Sequence, residues 1–239
     1  MPPGRRTGRL WHSARLCASP LLEDRESLAS LACFPRHLSC PPRPPGVECP
    51  LMAIKATVYK ATLQIADMDR GLYATHQVTL AREPSETDER MMVRLLAFAL
   101  HVPGDDYDGN LVFARGAADA EEPDLWQHSL SGEVRQWIEV GQPDERRLVR
   151  AAGRADRVVL YIYSSAAHVW WAGVQNKLAR LNNLWVWQLP AAQSQALAAL
   201  AARSMQLQVT VQDGQIWIGN NESSVEVHPA PIKAPIKKF

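Results

Sequence analysis

Four side chains are placed where they could do chemistry together: Glu89, Asp124, Glu139 and Gln142. Asp124 follows Pro123, and Glu139 opens the run Glu139-Val140-Gly141-Gln142. An Asp and a Glu on neighbouring strands can collect a divalent cation between them. A hard ion such as Mg²⁺ prefers oxygen ligands and keeps several waters. A metal-bound water has a lowered pKa and can attack a phosphodiester while the metal offsets the developing charge. Glu89 heads the row Glu89, Val93, Leu96, Leu100, which otherwise faces a core. A carboxylate at the end of a buried row needs a partner, a metal or a water-filled cleft; the plainer alternative is a first-turn acid favoured by the helix dipole. The chain has no Gly-x-Gly-x-x-Gly, Gly-x4-Gly-Lys-Ser/Thr, Gly-x-Ser-x-Gly or His-Glu-x-x-His motif. Nucleotide cradles and the usual hydrolase elbow therefore have no support.

The elements that must position these groups are read from periodicity. Residues 54–66 and 72–80 are rich in Val, Thr, Tyr and Ile and flank an Asp/Gly turn, which predicts an antiparallel hairpin with His76 packed or at its rim. A helix is expected over 85–101, with Glu86, Arg90 and Arg94 forming a solvated stripe of paired charge. A short strand near 111–113 precedes Asp124, which is placed just before or on an edge strand. In the strand 133–140, Val134, Ile138 and Val140 take one face, and Arg135, Trp137 and Glu139 the other. Trp137 is thereby able to stack a base beside Glu139, whereas most other tryptophans, Trp217 among them, are expected in the core. A helix from Pro143 to about 155, the apolar strand 158–163, a helix over 168–181 and the apolar strand 184–189 imply right-handed crossovers in a parallel βαβαβ core. A helix over 191–204 and a hairpin over 205–218 close the domain. The fold class is α/β, a mixed sheet with antiparallel hairpins and a parallel core.

Composition divides the chain. All four cysteines and nine of seventeen prolines lie in residues 1–51. Their cysteine spacing lacks any Cys-x2-Cys pair, so a zinc site is weak there. This stretch is expected to be a disordered extension before a start at Met52, with a targeting peptide as the rival reading. The folded domain is read as 52–219, with a flexible tail over 220–239. The whole chain has 26 Lys and Arg against 25 Asp and Glu, and the part from Met52 has 19 against 21. That balance excludes a histone-like coat. No apolar run is long enough for a membrane span. The absence of cysteine after Met52 excludes thiol chemistry there and fits a reducing cytoplasm. Arg146, Arg150 and Arg154 share one stripe of the helix after Gln142; such a stripe could track a nucleic-acid backbone, although a salt-bridged helix face is the commoner explanation.

Pro123-Asp124 with Glu139-Val140-Gly141 resembles the PD-(D/E)XK nuclease pattern. Gly141 stands where that pattern has its lysine; Lys55, Lys60 and Lys177 are the candidates to replace it, and Gln142 is the polar neighbour. The larger resemblance is to the bacterial YaeQ family, carried by ATVYKATLQIADMDR, PSETDERMMVRLLAFAL, EPDLWQHSLSGEVRQWIEVGQPDERR and ALAALAARSMQLQVTVQDGQIWI. It implies a variant PD-(D/E)XK-like fold and a start near Met52. Carried over, it implies Asp124 and Glu139 as metal ligands, Glu89 orienting a metal-bound water, and Gln142 beside them. Two functions follow from it: a Mg²⁺-dependent nuclease or phosphodiesterase, or a non-catalytic module that binds protein or nucleic acid on a nuclease-like scaffold.

Overall fold

The computed structural model describes residues 56–235 apart from 106, 116–118 and 120. The chain divides into two units, Met1–Pro50 and Leu51–Phe239, and every described residue belongs to the second. The expectations for residues 1–51, and Lys55, lie outside the described residues. In chain order the elements are β1 (Thr57–Asp67), β2 (Leu72–Arg82), α1 (Asp88–His101), β3 (Leu111–Phe113), β4 (Leu125–His128), β5 (Val134–Val140), α2 (Glu145–Arg154) and β6 (Ala155–Ile162). They continue as α3 (Ala167–Leu178), β7 (Leu184–Gln188), α4 (Ala191–Ala198), β8 (Ser204–Gln212), β9 (Gln215–Gly219), β10 (Ser224–Val227) and β11 (Ala230–Lys233).

Alternation of polar and apolar residues along β1 puts Tyr59, Ala61, Leu63 and Ile65 inward, and β8 does the same with Met205, Leu207, Val209 and Val211. The β1–β2 hairpin turns through Gly71 at φ 67°, a conformation glycine adopts without steric cost. The first strand also pairs in parallel with β8, giving a five-stranded sheet in the order β10-β9-β8-β1-β2. The crossover unit forms a separate six-stranded sheet, β11-β7-β6-β5-β4-β3, in which β5, β6 and β7 are parallel. The sequence reading attached the first hairpin to the parallel core; instead it belongs to a second sheet. Strand periodicity reports which face is buried, not which strand lies alongside.

Helix α1 lies between the sheets. Thr87 caps it by accepting from the Arg90 N–H at 3.2 Å. Every residue from Met91 to Ala99 is buried, as expected of a helix that meets protein on all sides. One core joins α1 and α4 to the inner face of the five-stranded sheet and to Ile138, Val140, Val159 and Tyr161 of the other. A second core joins the opposite face of the six-stranded sheet, through Trp137, Val158, Leu160 and Val186, to Leu148 of α2 and Leu178 of α3. The layers therefore run sheet, helices, sheet, helices.

Three further sequence expectations need correction, and the reading of His76 holds. Helix α4 stops at Ala198 rather than 204, where Ser204 already enters β8. Trp217 is half-exposed on the outer face of its sheet and is not core. His76 packs edge-on against Phe98 with ring centroids 5.7 Å apart, in keeping with a packed or rim residue. The tail beyond Gly219 contains two strands: β10 pairs with β9, and β11 crosses to the other sheet to pair with β7. Their apolar residues are few, so no period is visible, yet Val227 is fully buried. A chain ending at Asn220 is expected to lose at least about 2 kcal/mol of stability, because it exposes surface under both strands; an unchanged urea midpoint would show that the tail contributes nothing.

Candidate functional site

The site begins with the surroundings of α1. Because the helix is enclosed between sheets, Glu86, Arg90 and Arg94 cannot form the solvated stripe that their spacing suggested. Arg94 is 4% exposed and Glu86 7%. The Arg94 Nη1 donates to both Glu86 carboxylate oxygens at 3.0 Å, and Arg90 Nη1 donates to Glu86 Oε1 at 3.3 Å. Arg90 Nη2 then reaches Asp124, donating to Oδ1 at 2.7 Å and Oδ2 at 2.8 Å, while Arg94 Nε lies 3.4 Å from Oδ1. Burial alone would lower the Arg90 pKa, but the charges of Asp124 and Glu86 outweigh it and the net direction is up.

Asp124 stands directly before β4. That strand is flanked by β3 and β5 and is not at the sheet edge. The pairing of Leu125 with Ile138 sets Asp124 beside Val140, whose backbone N–H donates to Asp124 Oδ2 at 2.8 Å. Asp124 is completely buried. Its two oxygens thus receive a guanidinium and a backbone amide.

Glu139 lies one residue away on the opposite face of β5, with Trp137. That face is covered by α2 and α3, so Trp137 is buried at 3% exposure and is not available to stack a base. Its indole Nε1 donates to Glu139 Oε1 at 2.8 Å, and Arg147 Nε of α2 donates to the same oxygen at 2.7 Å. Arg147 also bonds the carbonyls of Asp119 and Glu122. Burial pushes the Glu139 carboxyl above its ordinary pKa. Arg147 opposes that shift and the charge of Asp124 adds to it.

Glu89 accepts a hydrogen bond from Ser194 Oγ of α4 at 2.6 Å, so the acid at the end of the buried row has a partner. It shares an electrostatic neighbourhood with Asp124 at Tyr163, whose phenol is raised by burial, lowered by Arg90 and raised again by Glu89, Asp124 and Glu86. Gln142 is exposed and donates from Nε2 to Ser164 Oγ at 2.7 Å. A cleft of about 310 Å³ lies here, lined by Arg90, Glu139, Gly141, Gln142, Arg147 and Tyr163, among others. Gly141, at the pattern's lysine position, has φ 102°, which L side chains rarely adopt. The lysine substitutes are elsewhere: Lys60 is exposed on β1 in the other sheet, and Lys177 pairs with Glu145 at 2.6 Å.

From the sequence Arg90 and Arg94 were read only as part of a solvated stripe, and Tyr163 and Ser194 were not singled out. The signal for Arg94 was present, since Met-Met-Val-Arg-Leu-Leu-Ala-Phe-Ala-Leu leaves it no polar side of the helix. Arg147 and Ser194 carried no such signal. The donor set does not fit a hard divalent cation: the Asp124 oxygens and Glu139 Oε1 already accept from guanidinium, amide or indole N–H groups. Among the described residues, no group of three His, Cys, Asp or Glu side chains is placed to hold a metal. On the outer face of α2, Arg150 and Arg154 pair with Glu121 at 2.6 and 3.0 Å.

A two-sheet α/β protein with a buried arginine–carboxylate network defines the class, and the comparisons name the family. The YaeQ protein family model matches residues 52–229. The uncharacterized protein YaeQ of Escherichia coli (strain K12) is 44% identical over 185 residues, covering 77% of this chain and 99% of the relative. The YaeQ protein of Salmonella typhi matches at the same identity and coverage. The crystal structure of YaeQ from Xanthomonas axonopodis pv. citri superposes with a TM-score of 0.70 at 45% identity, covering 75% of this chain and 99% of that one. YaeQ from Pseudomonas syringae gives a TM-score of 0.69 at 37% identity, covering 75% and 97%. The chain belongs to the YaeQ family.

Two predictions follow from the buried groups. Asp124→Asn leaves Arg90 and Arg94 short of a buried counter-charge and should cost about 3–5 kcal/mol in urea unfolding. His101, whose Nε2 lies 2.8 Å from Tyr161 Oη, is held down to a pKa of about 3 by burial and by Arg157 and Arg70. The unfolded chain binds a proton at His101 below pH 6.5, and the folded chain does not. Stability from this group is therefore complete above pH 6.5 and declines as pH falls toward 3. In His101→Phe, the loss of stability between pH 7 and pH 4 should be smaller than in wild type, measured by urea titration at each pH.

Proposed function

We propose that this YaeQ-family protein is a non-catalytic nucleic-acid-binding module on a scaffold resembling the PD-(D/E)XK nucleases. The observation that carries the reading is that both pattern carboxylates, Asp124 and Glu139, are held by arginines at 2.7 Å. They serve as counter-ions that fix α1 and α2 to β5. The acid-binding arginines stand where a nuclease needs a cation, and the lysine position requires glycine.

The binding surface is the groove between α2 and α3, a space of about 570 Å³ lined by Arg146, Arg150, Lys177 and Arg180 against the single acid Glu145. Arg146 and Arg180 are exposed and have no carboxylate partner among the described residues. Such a groove neutralises phosphates and releases their counter-ions, which gives binding without sequence readout. No helix among the described residues is long and apolar enough to cross a membrane. We place the protein in the cytoplasm, where such a polyanion is abundant.

Fluorescence anisotropy with labelled single- and double-stranded oligonucleotides tests the reading. Binding should weaken with salt, and Arg146→Glu with Arg180→Glu should weaken it at least about tenfold and lower the log–log salt slope by nearly two. The same oligonucleotides incubated with Mg²⁺ or Mn²⁺ should remain intact. Cleavage that Glu139→Gln abolishes would establish the metal-dependent nuclease instead, and no anisotropy change at low salt would remove the nucleic-acid partner.

A further inference from the structure

Among the described residues, no helix lies against the face of the five-stranded sheet that points away from α1. In register across the strands it presents the row Tyr73, Ala66, Thr210, Trp217 and Glu226, and next to it the row Thr75, Gln64, Gln208 and Ser224. Gln77, Thr62 and Gln206 make the next row, and Thr79, Lys60 and Ser204 the one beyond. Among the strand residues on this face, Lys60 and Glu226 alone carry charge. A soluble surface ordinarily has about a quarter to a third of its residues charged, with both signs mixed, and an exposed sheet ordinarily relies on charge to resist association. Here amides and hydroxyls stand in their place.

The face carries a shallow, open depression. An open cavity of about 580 Å³ is lined by Gln64, Ala66, Tyr73, Thr75, Gln208 and Thr210. Tyr73 stands at its border and is 69% exposed. Trp217, half-exposed, lies opposite Thr210 on the far side.

We infer that this face binds a neutral oligosaccharide. Sugar rings offer hydroxyl groups that both donate and accept, and apolar C–H faces. Glutamine amides and threonine hydroxyls supply both kinds of hydrogen-bonding group, and a tyrosine or indole ring gives a rigid apolar plate for the ring faces. Charge decides against the other candidates. A nucleic acid or an acidic saccharide needs a row of cations, and among the described strand residues of this face Lys60 is the one cation. A protein partner buries a patch with an apolar centre, whereas the centre here is amide and hydroxyl. This surface is separate from the α2–α3 groove and does not depend on what that groove binds.

The full chain is titrated by isothermal calorimetry with maltohexaose, cellohexaose and chitohexaose, and with heparin oligosaccharide as the charged control. At least one neutral hexasaccharide should bind with a Kd between about 10 μM and 1 mM. Tyr73→Ala and Gln208→Ala should each weaken it by about tenfold or more. Both side chains are exposed, so the urea midpoint and oligonucleotide binding should stay as in wild type. Three results would overturn the inference: no heat with any neutral hexasaccharide at millimolar concentration, affinity untouched by both substitutions, or tighter binding of heparin on this face. A concentration-dependent mass that Tyr73→Lys reverses would assign the face to a second copy of the chain and would equally overturn it.

Discussion

The structure depends on the ion pairs buried around α1. A helix enclosed by two sheets leaves a guanidinium little access to water, and burying an unpaired charge costs several kcal/mol. Arg90 and Arg94 are nevertheless there, joined to Glu86 just before the helix and to Asp124 across the layer. The pairs close only when α1 lies at one position along β4 and β5, because Asp124 is itself fixed by the Val140 N–H. Apolar packing tolerates some slippage; this network does not. Replacing the whole group by hydrocarbon could leave stability unchanged, but removing a single member leaves the others without partners.

The same constraint determines what the pattern acids can be. Asp124 and Glu139 are each held by an arginine from a different helix, Arg90 of α1 and Arg147 of α2. Glu139 receives both Trp137 and Arg147 on one oxygen, so its charge is shared within a buried cluster at the wall of the cleft. Gly141 ends β5 in a backbone conformation that disfavours a lysine. These features agree with one another: where the nuclease pattern has a cation-collecting site with a lysine, this chain has carboxylates with arginine partners.

The two outer surfaces differ in chemistry for a reason that begins in the layering. The α2–α3 layer meets water through helices, and its basic residues are held in part by Glu121 and Glu145. The outer layer at the other side is a sheet with no described helix over it, where each strand alternates between a core residue and a residue on the outer face. There the alternation selects Gln, Thr and Ser in place of charge. The C-terminal strands couple the two sheets, since β10 extends one and β11 the other.

Periodicity and composition determined much of this by themselves. The alternation in β1 and β8, the apolar runs at 158–162 and 184–188, and the capped start of α1 each follow from local preference and burial pattern, which are properties of neighbouring residues. What only the tertiary structure decided are matters of adjacency. The separation into two sheets depends on β1 choosing β8, far along the chain. The burial of Glu86, Arg90 and Arg94 depends on a second layer closing over a helix face that looks polar by its own spacing. The occupancy of Asp124 and Glu139 depends on Arg90 and Arg147 arriving from separate helices. A charge pattern along one element reports what that element can offer, but whether water or another chain segment takes it up is set by packing that no local pattern contains.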